Sequence, residues 1–189
     1  MDAAGEGDEF LMREVAAGRS DRLEGLVRRH AQGLLTFLAR MLGDHHRAEE
    51  LFQEVFLAVW LKRRQYQYPR PFRPWLYAIA LNRCRAVFRL RTPAPAPLGD
   101  EGASPAGPGR SPLEHTIAAE TAGVVGRAVA QLPPRQRAVV VLRVWQGLSY
   151  ARIAEVVGCT EGTVRSHMHH ALAALRETLQ PLAEAASPH

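Results

Sequence analysis

The chain has 189 residues, 47% of them apolar, and its 24 Lys and Arg exceed its 19 Asp and Glu for a net charge of +5. That apolar share is enough for a packed core and excludes wholesale disorder. Two cysteines exclude a disulfide framework, and no apolar run reaches the roughly 18 residues of a membrane span. A basic balance favours a polyanionic partner, nucleic acid before membrane surface.

The opening MDAAGEGDEF is acidic and has no apolar core, so no signal peptide is expected. In LEGLVRRHAQGLLTFLARML, Leu23, Leu26, Val27, His30, Leu34, Leu38 and Met41 recur at steps of three and four, the period of an amphipathic helix. Gly43-Asp44 breaks it, and Asp44 is suited to cap the next helix. That helix, AEELFQEVFLAVW, buries Leu51, Phe52, Val55, Phe56 and Val59, which leaves Glu50, Gln53, Glu54 and Leu57 on the wet side. A loop broken by proline, QYQYPRPFRP, leads to a helix from about Trp75 to Leu90.

From Lys62 to Arg91 there are nine Lys and Arg, and no acid stands between Glu54 and Asp100. Tyr66, Tyr68, Phe72, Trp75 and Tyr77 interleave with arginines of this block, among them Arg70, Arg73 and Arg83. Aromatic rings can stack on freed bases while cations hold the backbone, the pattern of a single-strand trap. The alternative stays open that Phe72, Trp75 and Tyr77 are core, with Tyr66 and Tyr68 exposed in the loop.

RTPAPAPLGDEGASPAGPGRSP, Arg91 to Pro112, holds six of the thirteen prolines and no aromatic residue. It reads as a flexible Pro/Ala-rich linker, dividing the chain into 1–91, 92–112 and 113–189. Its length and polarity leave the two domains free to tumble independently. Beyond it, one helix is expected from about Leu113 to Ala130, and LPP starts another, because proline fits a first helical turn. Gly147 ends that helix. Ser149 caps the short helix YARIAEVV, Gly158 closes it, and Thr160 caps a last helix from Glu161 to about Leu179.

Ala154, Gly158 and Val164 have the spacing of a helix-turn-helix: a small residue at the crossing, a left-handed turn, and an apolar plug. The second helix would enter the major groove with Thr163, Arg165, Ser166, His169 and His170 exposed. His167, His169 and His170 also raise a metal reading, but a zinc site wants three or four ligands and no further ones stand nearby. Asp44-His45-His46 raises a second, a metal phosphoesterase signature without its further acids. No metal or cofactor is expected. No segment alternates long enough for a strand, so the expected fold is all-α, two small helical domains.

AEELFQEVFLAVW, FRPWLYAIALNRCR, LPPRQRAVVVLRVWQGLSYARIAEVVG and TEGTVRSHMHHAL, in that order, resemble the extracytoplasmic-function (ECF) group of RNA polymerase sigma factors over most of residues 8–180. The resemblance implies a region 2 helical bundle and a region 4 helix-turn-helix. It implies no enzyme: a cytoplasmic subunit, not inserted in a membrane, that binds core RNA polymerase and promoter DNA and is commonly held by an anti-sigma factor. By the same resemblance, Glu50, Gln53 and Glu54 meet the polymerase. Tyr66, Tyr68, Arg70, Arg73, Trp75, Tyr77, Asn82 and Arg83 serve the −10 element, and Thr163, Arg165, Ser166, His169 and His170 the −35 element. A free-standing dimeric helix-turn-helix regulator is the rival, and it needs neither the acidic face nor the aromatic-basic block.

The family usually carries more arginine where this chain has His167-Met168-His169-His170, leaving Arg165 as the main permanent cation on the recognition helix. Each phosphate contact adds about −0.9 to the slope of log affinity against log salt. Fluorescence anisotropy of the C-terminal domain on a −35 duplex is therefore expected to give a shallow slope. A slope near about −6, as for six or more phosphate contacts, would contradict this.

Overall fold

A computed structural model describes residues 6–91 and 117–185. Among them there are eight α-helices and no strand: α1 (Asp8–Ala16), α2 (Asp21–Leu42), α3 (His45–Leu61), α4 (Phe72–Arg91), α5 (Ile117–Gln131), α6 (Pro134–Val144), α7 (Tyr150–Val157) and α8 (Glu161–Ala185). A single 3-10 turn, Arg63–Gln65, leads toward the loop before α4. No described helix is long and apolar enough to cross a membrane.

The local signals act as the residues require. Gly43 ends α2 in the left-handed region, and the Asp44 carboxylate accepts from the Arg47 amide at 3.1 Å to start α3. Leu51, Val55, Phe56 and Val59 are buried on α3, with Phe52 half-buried. Pro133 and Pro134 open α6, where a missing N–H leaves no helical bond unmade.

Two boundaries differ from the sequence reading. Helix α4 starts at Phe72, ahead of Trp75, because Pro74 sits in the first turn, where it is tolerated. Helix α8 continues to Ala185 instead of stopping near Leu179. The start of the expected Leu113–Ala130 helix and the 92–112 linker lie outside the described residues.

Helix α1 was not expected at all. It is short, and its buried residues, Leu11, Met12 and Val15, span barely one turn. Tertiary bonds hold it: Asp8 accepts from Arg29 at 3.0 Å and meets the buried ring of His30 at 2.8 Å. Glu9 reaches across to accept from the Phe72 amide at 3.2 Å, so α1 caps α4 from outside that helix.

Helices α1–α4 form one lobe and α5–α8 another, yet their buried side chains make one continuous apolar cluster. The expectation of independently moving domains is therefore corrected: α2 packs on α5 and α6, and α4 on α7. Polar groups weld the seam. Arg137, 4% exposed, donates to the carbonyls of Met41 (2.6 Å) and Leu132 (3.0 Å) and to that of Ala130. Arg40 of α2 stacks at 4.0 Å on the ring of Trp145. Unmet backbone carbonyls at two helix ends thus find their donors in an arginine of the opposite lobe or of the next helix.

Burial pushes the Cys84 thiol from 9.0 up to about 12, and burial with the nearby Glu9 and Asp8 pushes the Tyr66 hydroxyl from 10.0 up to about 12. Above the unfolded values the folded chain holds protons that the unfolded chain has released. The stabilisation is complete below the unfolded values and is lost as pH rises toward about 12. Thermal melts followed by circular dichroism are expected to drop across this alkaline window, and Cys84→Ala to flatten the drop. An equal drop in the variant would contradict the assignment.

Candidate nucleic-acid interface

The helix-turn-helix is built from α7 and α8. Ser149 Oγ accepts from the Arg152 amide at 3.3 Å, starting α7. Gly158 turns the chain at φ 79° and ψ 44°, a conformation costly for residues with a Cβ. The Ala154 carbonyl accepts from both Gly158 (2.9 Å) and Cys159 (3.1 Å), which closes the helix end. Thr160 Oγ1 then accepts from the Thr163 amide at 3.2 Å and starts α8. Val164, Met168 and Ala171 face inward at steps of four and three. Ala154 packs half-buried against the same core.

That register turns Thr163, Arg165, Ser166, His169 and His170 outward, all exposed. The Arg165 guanidinium is tethered to Glu161 one turn back and lies 5.9 Å from the Tyr150 ring centre, so it is oriented without being buried. His169 and His170 stand edge to face at 5.8 Å, whereas His167 is half-buried and turns toward the other lobe. Among the described residues no three His, Cys, Asp or Glu cluster in a way that could hold a metal ion.

On α3, Glu50 and Gln53 are exposed and Glu54 partly so. Leu57 and Leu61, at 57% and 66% exposure, extend the same strip by one turn each. An exposed carboxylate strip edged by leucines suits a basic-rimmed protein surface. Arg47 pairs with Glu50, and that hydrogen bond raises the arginine's pKa. Arg83 approaches Glu54 at 3.9 Å, so this strip borders α4 directly.

The aromatic-basic block divides. Tyr68 (51% exposed), Arg70, Asn82 and Arg83 are accessible. Tyr66, expected in solvent, is buried at 7%; its hydroxyl donates to the Arg70 carbonyl and its ring meets Trp75 edge-on at 5.4 Å. The cause is aromatic clustering: Tyr66, Phe72 and Trp75 cover one another and hide far more apolar area than an open loop would. Phe72 is fully buried and Trp75 half-buried.

Tyr77 is buried against the C-terminal lobe, and Arg73, itself exposed, reaches that lobe. Gln146, in the turn just after α6, is 6% exposed. Its side-chain oxygen accepts from the Tyr77 hydroxyl, its side-chain nitrogen donates to the Gly33 carbonyl at 3.0 Å, and its own carbonyl accepts from Arg73 at 2.7 Å. Burial raises the Tyr77 pKa, which keeps the hydroxyl a donor. Gly33 leaves the room: a Cβ there would come within 3.1 Å of both the Gln146 oxygen and the Tyr77 hydroxyl. Neither Gln146 nor Gly33 was picked out in the sequence; Gln146 reads there only as the last residue before a helix-ending glycine.

Residues 26–92 match the family model described as Sigma-70 region 2, and residues 123–175 the one described as Sigma-70, region 4. The chain is 33% identical over 178 residues to the ECF RNA polymerase sigma factor SigL of Mycobacterium tuberculosis, covering 89% of this chain and 94% of that protein. It is 30% identical over 188 residues to the RNA polymerase sigma-H factor of Pseudomonas aeruginosa, covering 94% and 96%. The fold is similar to CnrH in its complex with the cytosolic domain of CnrY, with a TM-score of 0.70, 26% identity, and 96% and 100% of the two chains covered. It is also similar to RpoE of Bartonella quintana in complex with the anti-sigma factor NepR, with a TM-score of 0.64, 21% identity, and 83% and 96% covered.

Gln146→Ala would strand the buried Tyr77 hydroxyl and Gly33 carbonyl, each at a cost of about 1–3 kcal/mol. Small-angle scattering of the wild type is expected near the roughly 16 Å radius of gyration of a compact chain this long, and of the variant at a clearly larger value. Matching profiles for the two proteins would show that the amide does not hold the lobes together.

Proposed function

This chain belongs to the ECF group of sigma-70 factors, and we propose that it carries out promoter recognition by joining core RNA polymerase through α3 while its two lobes take the −10 and −35 elements. The observation that carries this reading is the pairing, in one chain, of a complete helix-turn-helix with an outward reading face and a separate exposed Glu50/Gln53/Glu54 strip. A free-standing operator-binding regulator would have no use for the strip.

In this reading Arg165 pairs with guanine or phosphate, and Thr163, Ser166, His169 and His170 supply shorter hydrogen bonds around it. Tyr68, Arg70, Asn82 and Arg83 form the accessible part of the −10 surface. Opening duplex costs about 1.4 kcal/mol per base-pair step. Stacking a freed base on an aromatic returns about 1–3 kcal/mol, and basic contacts add to that. Trp75 has an edge to offer as it stands and Arg73 is exposed, tied to the Gln146 carbonyl, whereas Tyr77 becomes available only when Gln146 withdraws, and Tyr66 acts by bracing the loop. The closed arrangement is thus a resting form, and promoter binding requires the lobes to part.

The chain itself does no nucleotide chemistry; the polymerase supplies that. Its place of work is the cytoplasm, where polymerase and chromosome are. An anti-sigma protein is a fitting further partner, since the similar RpoE is seen with one.

Pull-down of core polymerase by the full chain, wild type against Glu54→Arg, tests the docking strip. The wild type should retain core and the charge reversal should lose about tenfold or more in affinity, since a like charge is set against a complementary surface. Equal retention by both chains would remove α3 from the interface.

A further inference from the structure

A cleft of about 370 Å³ opens where the first turns of α8 meet α4. Its walls come from both lobes: Arg85 from α4, Arg135 from α6, Cys159 from the turn, and Thr163 and His167 from α8. No carboxylate lines it, and no described carboxylate pairs with Arg135. Arg85 reaches across the seam to donate to the Val157 carbonyl at 3.0 Å and back to Asn82 Oδ1 at 3.2 Å. Those two bonds use two of the five N–H donors of a guanidinium and leave the others for a ligand.

Two arginines brought together without an acid repel one another. Burial, and after it the charge of Arg135, lowers the Arg85 pKa. A multiply charged oxyanion would relieve that repulsion and could accept in parallel from both forks, the pairing guanidinium geometry favours. Thr163 adds a hydroxyl and His167 a ring nitrogen, and the volume lies within the range of small-ligand sites.

We propose that this interlobe cleft binds a diphosphate group, gripped between Arg85 and Arg135, and that an occupied cleft favours the closed chain because its walls come from both lobes. The group could be free or carried by a nucleotide; inorganic pyrophosphate and ADP separate the two sources.

Cys159 lies in the cleft wall and Cys84 is buried with its thiol pushed up to about 12, so alkylation by iodoacetamide reports on the cleft through Cys159 and leaves Cys84 silent. The full chain is alkylated with pyrophosphate, with ADP, with sodium chloride at matched ionic strength, or with a duplex lacking promoter sequence, and Cys159 is followed by peptide mass. Pyrophosphate or ADP is expected to slow Cys159 alkylation about fivefold or more beyond the salt control. Stronger protection by ADP assigns a nucleotide, and by pyrophosphate the free anion. Arg135→Ala, on an exposed first turn, should keep the circular-dichroism melt and lose the protection. Protection no greater than with salt, protection that survives Arg135→Ala, or protection by duplex alone would each overturn the site.

Discussion

Gln146 has to satisfy two hydrogen-bonding groups of the opposite lobe with one amide, and that requirement fixes how the halves of the chain meet. Its oxygen needs the Tyr77 hydroxyl and its nitrogen needs the Gly33 carbonyl, with Arg73 on its backbone. A buried amide is stable only when both ends are met, so a small slip between α2, α4 and α6 would cost the set together. Apolar contact alone would tolerate many docking angles. The amide, with Arg137 spanning Met41 and Leu132, selects one. The side chains that do this in the N-terminal lobe, Tyr77 and Arg73, come from the aromatic-basic block, so under the proposed function closure and use of the Tyr77 ring compete.

Much of the fold was legible because it is written in local chemistry. Asp44, Ser149 and Thr160 stand where a helix needs an acceptor, Gly158 where the chain must turn left-handed, and Val164 where a plug must fit. These need no knowledge of the partner element. The strip of Glu50, Gln53 and Glu54 was equally plain, since a helix period sorts wet from dry positions by itself. What sequence could not give is contact at long separation. Helix α1 has one turn of apolar residues and exists through ties to Arg29, His30 and Phe72. Tyr66 looks like any loop tyrosine until Phe72 and Trp75 are known to lie over it. Gln146 looks like surface until α2 and α4 are beside it.

The two reading surfaces differ in how ready they are. On α8 the outward side chains are exposed and Arg165 is steadied by Glu161 and Tyr150, so little rearrangement precedes contact with a duplex. On α4 Tyr77 is buried at the seam, Trp75 is half-buried and Arg73, though exposed, is bonded across to Gln146. Under the proposed function, duplex contact comes first and strand trapping after the lobes have parted.

Helix α8 is unbroken from Glu161 to Ala185, 25 residues or about 37 Å of continuous rod. Its first turns lie in the helix-turn-helix, Ala174 and Leu175 are the last of its side chains packed on the core, and Arg176, Glu177 and Thr178 beyond them are exposed. A stiff bar held at one end behaves as a tiller. Any protein that gripped the far end and swung it would re-aim Arg165 and its neighbours without touching them, and the start of the helix would feel a torque applied some six turns away.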